Sequence, residues 1–585
     1  MGRTLEVFRE HRGIASIPEV FFKSVKDYGT RPALSVFRDG TYQHLSYEEL
    51  GHRVKLLALG LKGLGLSKGD RCAILGPNSP EWALSYLSIL SARGICVPID
   101  SLLKSYEFRH IFEEVKARFI FVAPKFLDTV LEIDEDLEIF KKIILLEKVP
   151  GNRPPKVVFL SEVMEKGGKH SKELRFPNLE EVAAIIYTSG TTGKAKGVML
   201  THRNIVSDVV ACYQSLPFDY RDRFLSVLPM HHTFECTAGF LLPLYAGSHI
   251  TFARSLKSRD ILADLKACQA TVMLGVPLLF QKMYEGLERA IARASLPKRA
   301  LFRSLMRMVK ASERFGRGEE TAKILFRTLR DKAGLSHIRF FVSGGAPLPP
   351  HLPKAFRRLG LKLLQGYGLT EASPVLTVNH PEASKDESVG LPLPGVEVKV
   401  RNSNAEGVGE LCFRGPMIMK GYYKNEEATK ATFDEEGFLK TGDLGYVDAE
   451  GYVYVCGRVK NMIVTPAGKN VYPEEVEAEL DKSPYILESM VFGFSKNGGE
   501  EVWAVIVPDY ETIERKFHGK RLSEADVEKL IAREVRSQMN RLADYKRVKK
   551  FLIRDEELPK TSTRKIKRHL VIPKLISDFE KRKGR

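Results

Sequence analysis

The chain has 585 residues and a mass of 65.9 kDa, with 91 Lys plus Arg against 73 Asp plus Glu and a formal charge of +18. Hydrophobic content of 43% and charged content of 28% exclude a largely disordered chain, and the length suggests three or more packed units. No uncharged apolar run reaches the roughly 18 residues that a membrane-crossing helix needs, and Met1–Gly13 is charged throughout, so neither a transmembrane segment nor a signal peptide is expected.

The charge is unevenly placed. Arg289–Lys332 carries 13 Lys/Arg against 4 Asp/Glu, Arg541–Arg585 carries 16 against 6, and the remainder is close to neutral. Two basic patches invite a nucleic acid, an anionic membrane surface or polyanionic small molecules. No zinc spacing, aromatic RNA-binding set or helix-turn-helix pattern accompanies them, so nucleic acid is not expected. The seven cysteines are scattered without a CxxC pair and read as buried free thiols of a reducing cytoplasm.

In chain order, the first half alternates short apolar runs with helical stretches. RCAILG (71–76), ICVPID (95–100), FIFVA (119–123), IFKKIILLE (139–147) and EVAAIIYTSG (181–190) read as strands, with a helix over Glu81–Arg93. That alternation predicts βαβ units and a largely parallel sheet. From about 389 to 455 the pattern changes to Gly- and Val-rich alternation (VEVKVRN, GELCFRG, GYVYVCG), which predicts a small β-barrel-like unit. After Gly457 and Arg458 a helix-plus-strand pattern resumes (PEEVEAELDK, ILESMVFGF, EVWAVIVPDY) and predicts a small α+β domain.

The segment IIYTSGTTGKAKGVMLTH (185–202) runs from an apolar strand into a loop of Thr, Ser, Gly and Lys. Glycines let backbone approach a ligand closely, and successive N–H groups, hydroxyls and a lysine make an anion cradle. A Walker A loop is excluded, because Gly190 and Gly193 are separated by only two residues and Lys194 is followed by Ala195.

The string TSGTTGKAKG resembles the phosphate-binding signature of the adenylate-forming (AMP-binding) superfamily, and the remaining motifs follow in the family's order. SGGAPL (343–348) resembles its adenine-pocket segment, QGYGLTEASP (365–374) its Tyr-Gly-x-Thr-Glu motif, and KTGDLG (440–445) its ribose-binding motif. GRVKNMIVTPAGKNVYPEEVE (457–477) resembles its hinge and thioester-step segment, and PKTSTRKIKR (559–568) its C-terminal lysine motif. The resemblance runs from about Phe21 to Arg568 and is nearest to the AMP-forming long-chain fatty acyl-CoA synthetases. It implies an α/β fold: a large N-terminal domain (1–457) of layered α/β subdomains plus a small β-barrel, then a small mobile α+β C-terminal domain (458–585).

The resemblance also implies roles. Thr188, Ser189, Gly190, Thr191, Thr192, Gly193, Lys194 and Lys196 would cradle phosphate, although both lysines also suit plain solvation. Gly344, Gly345, Ala346, Gly366, Gly368 and Thr370 would shape the nucleotide pocket, with Tyr367 stacked on adenine. Asp443, with two acceptor oxygens, and Arg458 would take the ribose. Glu371, helped by Thr188, would hold the Mg²⁺ that accompanies ATP. Lys565 would reach in from the C-terminal domain to place positive charge at the α-phosphorus. Here the family's usual Gly before that lysine is Arg564. Lys460 would be the hinge, and Gly468 would line the path of the CoA arm.

His232, in LPMHHTFE (228–235), aligns with the histidine beside the acyl carboxylate in long-chain enzymes, and LGVPLLF (274–280) would supply apolar tunnel wall. No Asp stands where amino-acid adenylation domains hold an amino group. A long insertion from about Ala290 to Gly334 also matches the long-chain pattern. Within it Arg299, Arg303, Arg307, Lys310, Arg314 and Arg317 are spaced as one helical stripe, and Phe302, Leu305, Met306 and Val309 as an apolar stripe. Such a helix suits either a membrane surface or a solvated face packed on the core through its apolar side. The implied activity is fatty acid–CoA ligation through an acyl-adenylate. Acyl–acyl-carrier-protein synthesis shares the same motifs; a luciferase-like oxygenase has no specific support. The expected partners are a long-chain fatty acid and CoA or a carrier protein, a homodimer is admitted, and the expected place is the cytoplasm, peripheral at the inner face of the membrane.

Overall fold

The computed structural model describes residues 14–169, 173–188, 195–496, 499–517, 522–560 and 566–583. The chain divides into two compact units, fewer than length alone suggests, because two large sheets share the first unit. That unit comprises Met1–Thr188, Ala195–Glu397 and Arg414–Gly437, and the second comprises Ser189–Lys194, Val398–Phe413 and Phe438–Arg585.

In the first unit, an eight-stranded sheet is built on Val182–Thr188, Ile95–Pro98, Arg71–Leu75, Phe119–Val122, Lys142–Leu145 and Val157–Phe159, paired in parallel in that spatial order. Phe119–Val122 is buried at every position, the pattern of a parallel strand covered on both faces. At one end Lys196–Thr201 turns back antiparallel on Val182–Thr188, and Gly421–Tyr422 pairs antiparallel beyond it.

The nine-stranded sheet has a parallel centre: Leu363–Gly368, Phe340–Ser343, Val272–Gly275, Arg223–Ser226, His249–Phe252 and Pro32–Arg38. Between its strands Val272–Gly275 and Phe340–Ser343 comes helix Pro277–Ala292, after which the insertion forms helices Leu296–Glu313, Gly318–Leu325 and Arg327–Ala333. The basic stripe expected to run on one helix to Arg317 is therefore cut short at Glu313. Gly316 adopts a left-handed φ of 71°, and the N–H of Arg317 turns back to the Ser312 carbonyl, which terminates the helix. The apolar stripe is not a free face either. Val309 is fully buried, Phe302, Leu305 and Met306 pack on the same core, and the Phe302 ring lies 5.3 Å from that of Phe326. Among the described residues no helix is long and apolar enough to cross a membrane.

In the second unit the β-rich stretch gives a four-stranded sheet of Glu397–Arg401, Gly409–Arg414, Leu439–Val447 and Val453–Arg458. A three-stranded sheet follows, in which Ile486–Lys496 and Gly499–Pro508 pair antiparallel and Lys550–Ile553 adds in parallel. Buried Glu477, on helix Pro473–Leu480, ties this region together. Its carboxylate accepts both oxygens' worth of bonds from Arg568, at 2.5 and 2.6 Å, and the Val491 N–H at 2.6 Å. Burial alone would raise the Glu477 pKa, and Arg568 opposes that. Arg568→Ala should leave a buried carboxylate unpaired and cost the second unit about 3 kcal/mol. Thermal denaturation checks this, with Arg568→Ala/Glu477→Gln expected to recover part of the loss.

Candidate active site

Parallel pairing sets the main site of the first unit. The register aligns Gly275 with Ser343 and Ser343 with Gln365, so the loops after three neighbouring strands leave the same carboxyl edge. That edge is where open α/β sheets bind ligands. Gly344, Gly345 and Ala346 follow one strand directly, and Gly366, Tyr367 and Gly368 end the next. Gly345 has a φ of 81°. A side chain on Gly368 would sit 1.8 Å from the Pro374 carbonyl oxygen, a backbone approach only glycine permits. Tyr367 is half-buried at this edge rather than sunk in the core.

The segment after Arg223–Ser226 comes to the same edge. The Phe234 ring lies 3.0 Å from where a side chain on Gly344 would begin, and the hydroxyls of Thr233 and Thr370 are 3.4 Å apart. Thr237 donates to the Ser373 carbonyl at 2.8 Å. His232 is half-buried, and its Nδ1 accepts from the Phe234 N–H at 3.3 Å. Asn78 clamps the segment from the other sheet: its Nδ2 donates to the Leu228 carbonyl at 2.6 Å, and its Oδ1 accepts from the Met230 N–H at 2.8 Å. In the sequence Asn78 is only a polar turn residue, and nothing in its spacing signals this reach.

Glu371 sits in the short turn Thr370–Ala372. Its Oε1 accepts from the Tyr422 hydroxyl at 2.8 Å, while Oε2 has no hydrogen-bond partner among the described residues. The Lys196 ammonium lies 4.9 Å over the Tyr422 ring, so this lysine is engaged and not merely solvated. Thr188 ends the strand paired with Lys196, and its hydroxyl is 3.5 Å from the Lys196 carbonyl. Tyr422 thus joins Lys196 to Glu371, a role that GYYK shows no sign of in the sequence. A carboxylate with one open oxygen suits Mg²⁺, which takes few protein ligands and completes its shell with phosphate and water. Among the described residues no group of three or more His, Cys, Asp or Glu gathers as a fuller metal cage.

Two buried titratable groups flank His232. His231 lies 3.4 Å from Asp100, and burial lowers its pKa, which keeps it neutral. Glu235, in the π-helical stretch Glu235–Leu241, is wholly buried, and desolvation, only partly offset by the nearby Ser226 hydroxyl, pushes its pKa up to about 8.

The second unit places Asp443 and Arg458 opposite each other on paired strands, with Arg458 Nε 3.0 Å from Asp443 Oδ1. Arg458 also donates to the Thr441 carbonyl at 2.9 Å, so Asp443 is a buried strand residue with a fixed guanidinium neighbour and not a surface turn. Lys460 is exposed in the short turn Val459–Asn461. Gly468 has a φ of 71° in the hairpin turn between Ile463–Val464 and Asn470–Val471, with open space where a side chain would go. A left-handed φ with open space beside it favours glycine at this turn. Ser189, Gly190, Thr191, Thr192, Gly193, Lys194, Arg564 and Lys565 lie outside the described residues.

Glu235 generates a pH prediction. Its folded pKa stands above the ordinary 4.5, so the folded state binds the extra proton between about pH 4.5 and 8. Stability therefore falls as pH rises through that window. Glu235→Gln should remove this slope and gain on wild type by a few kcal/mol across the window, read from urea denaturation at successive pH values.

The family model for AMP-binding enzymes matches residues 21–423, and that for the AMP-binding enzyme C-terminal domain matches 475–565. Long chain acyl-CoA synthetase 6 (peroxisomal) of Arabidopsis thaliana is 29% identical over 530 residues, covering 86% of this chain and 75% of its own. The long-chain-fatty-acid–acyl-carrier-protein ligase AEE15 (chloroplastic) of the same plant is 27% identical, covering 97% of this chain and 86% of its own. Among solved structures, ATP-bound MatB from Rhodopseudomonas palustris superposes with a TM-score of 0.74 at 26% identity, covering 95% of this chain and 98% of that one. With sheet topology, motif placement and both family models in agreement, the chain belongs to the AMP-binding enzymes.

Proposed function

We propose that the protein is an AMP-forming long-chain fatty acid–CoA ligase. The fatty acid carboxylate attacks the α-phosphorus of ATP, a P–O bond forms, and pyrophosphate leaves. The CoA thiolate then attacks the acyl carbon of the adenylate, a C–S bond forms as the acyl C–O bond breaks, and AMP leaves with that oxygen. The observation that carries this reading is the convergence at one sheet edge of the Gly344–Ala346 loop, the Gly366–Glu371 segment and the His232–Phe234 segment.

The first half-reaction joins two anions, so its barrier falls when fixed positive charge and donors meet the charge developing on phosphorus. Lys196, held over Tyr422, is one such charge. Lys565 is assigned the same task at the α-phosphate. Mg²⁺, when bound, neutralises phosphate charge, and Glu371 with Thr188 would hold it. The Tyr422 hydroxyl fixes the Glu371 carboxylate on one oxygen and leaves the other for that purpose. Tyr367 is assigned to adenine and Asp443 with Arg458 to the ribose. His232 is assigned to the acyl carboxylate. The division into 1–457 and 458–585, with Lys460 as hinge, belongs to the same reading.

Long-chain acids are favoured because the residues flanking His232 bring no charge of their own: His231 is uncharged, Glu235 holds its proton below about pH 8, and the Phe234 ring lies at the edge. The helical insertion and the name of the plant synthetase support the same choice. A carrier-protein acceptor is the second reading. It is favoured by the relative named for that acceptor, which spans nearly all of this chain, and by the basic segment Arg541–Arg585.

Acid-dependent AMP release, measured across acids of increasing chain length with CoA or acyl carrier protein as acceptor, tests the proposal. Release with long fatty acids and CoA is expected, and no release with any fatty acid sinks it. Lys565→Ala and Glu371→Gln should each lower fatty-acid-dependent ATP–pyrophosphate exchange by about 100-fold or more. Lys460→Pro should spare exchange and block thioester formation. Equal loss of both half-reactions would count against the hinge.

A further inference from the structure

The eight-stranded sheet has a cleft of its own, and no residue that lines it belongs to the edge that gathers His232, Gly344 and Glu371. The cleft measures about 160 Å³, close to the size of a cavity that takes benzene. It opens at the carboxyl ends of the parallel strands Lys142–Leu145 and Val157–Phe159, among helices Tyr47–Gly63, Pro80–Ser91 and Leu160–Gly168. Its wall is apolar: Leu84, Leu145, Leu146 and Leu160 are buried there, and Phe159 and Met164 are half-buried. One polar group on this wall is uncommitted. The Ser161 hydroxyl is shielded from water and has no hydrogen-bond partner among the described residues, a costly state for a hydroxyl.

The charges at the mouth are unequal in what they have to pair with. Glu81 is held by both terminal nitrogens of Arg38, at 2.8 and 2.7 Å, and Glu147 lies 3.7 Å from the same guanidinium. Arg53 and Lys148 line the cleft, are exposed, and form no ion pair among the described residues. Glu49, one turn before Arg53, is occupied as the cap partner of the Ser46 N–H at 2.8 Å. Arg38, Glu81, Glu147, Arg53 and Lys148 together sum to +1, and the two members without a partner are both cations.

We propose that this cleft is a second ligand site, which binds a small apolar carboxylate with a hydrocarbon part of about six carbons. The hydrocarbon lies against the leucine wall, the carboxylate meets Arg53 and Lys148 at the mouth, and the Ser161 hydroxyl is free to donate to it. A nucleotide would use the charge and leave the leucine wall in water, and a neutral hydrocarbon would leave both cations unanswered. The proposal stands apart from the ligase reading, because no residue assigned to ATP, CoA or the acyl carboxylate lines the cleft.

The test irradiates the full-length protein, without ATP or CoA, with hexanoic acid carrying a photoreactive diazirine, and maps the adducts by peptide mass spectrometry. Adducts are expected in the peptides that contain Leu145–Lys148 and Leu160–Met164, competed by unlabelled hexanoate and not by hexylamine. Arg53→Gln/Lys148→Gln should lower the yield in these peptides by about tenfold, with a melting temperature near wild type because both side chains are exposed. Ser161→Leu, which fills the cleft from its wall, should lower it as far; if that variant does not fold, the charge variant decides. The proposal is overturned if no adduct falls in these peptides, if hexylamine competes as well as hexanoate, or if the charge variant labels as wild type does. Failure of the ligase reading would appear as absent AMP release and would leave labelling of the cleft unchanged.

Discussion

The parallel register of three strands, Val272–Gly275, Phe340–Ser343 and Leu363–Gly368, is the constraint on which the first unit's site depends. Parallel pairing with Gly275 beside Ser343 and Ser343 beside Gln365 sends every following loop off the same edge. A one-residue slip would reverse the faces of every side chain on the slipped strand. It would also move Gly344 away from Phe234 and Gly368 away from the Pro374 carbonyl, the two places where a side chain would collide. The glycines at this edge are the mark left in the chain by that register: they stand where loops from different strands must touch.

Around this edge the protein handles charge in two opposite ways. Near Glu371 it keeps charge and orients it, with a tyrosine hydroxyl on one carboxylate oxygen and a lysine over the tyrosine ring. Beside His232 it suppresses charge, because burial leaves His231 neutral and Glu235 protonated at neutral pH. Phosphate chemistry needs the first environment, and an apolar acyl chain tolerates only the second. One thirteen-residue stretch, Leu228–Phe240, thus meets the Thr370 turn at Thr233 and turns buried, uncharged groups the other way.

Strands and motif positions were legible in the chain because they rest on local patterns. Apolar runs such as FIFVA and alternating runs such as EVWAVIVP became strands at nearly the expected residues. The Gly344 and Tyr367 motifs were found by resemblance, and their placement side by side is set by the parallel pairing of Phe340–Ser343 with Leu363–Gly368. Asn78 and Tyr422 were not legible, for the same physical reason in both cases. Each acts across a gap of about 50 to 150 residues through a single side chain, to Leu228 and Met230 or to Glu371. A hydrogen bond of that kind leaves no periodicity behind. Gly468 shows the converse: a motif position whose glycine is explained by a left-handed turn.

The insertion shows how a periodic reading can find the right helix and leave open what covers its apolar face. Phe302, Leu305, Met306 and Val309 recur at helical spacing, and so do Leu301 and Met308 one position away. Hydrophobic periodicity locates an apolar stripe but carries no information on what covers it. Packing decides: Phe326 and the core behind it take the first set, which leaves the second in water. The basic residues divide on the same logic. Arg299 turns toward the protein with its Nε buried, Arg303 and Arg307 face outward, and Arg314 and Arg317 fall beyond a helix that Gly316 ends. A charge excess that looked like one stripe is therefore three arrangements, of which Arg303 and Arg307 belong to the outward-facing one. Net charge alone does not reveal that division, because it follows from which helix face the core takes.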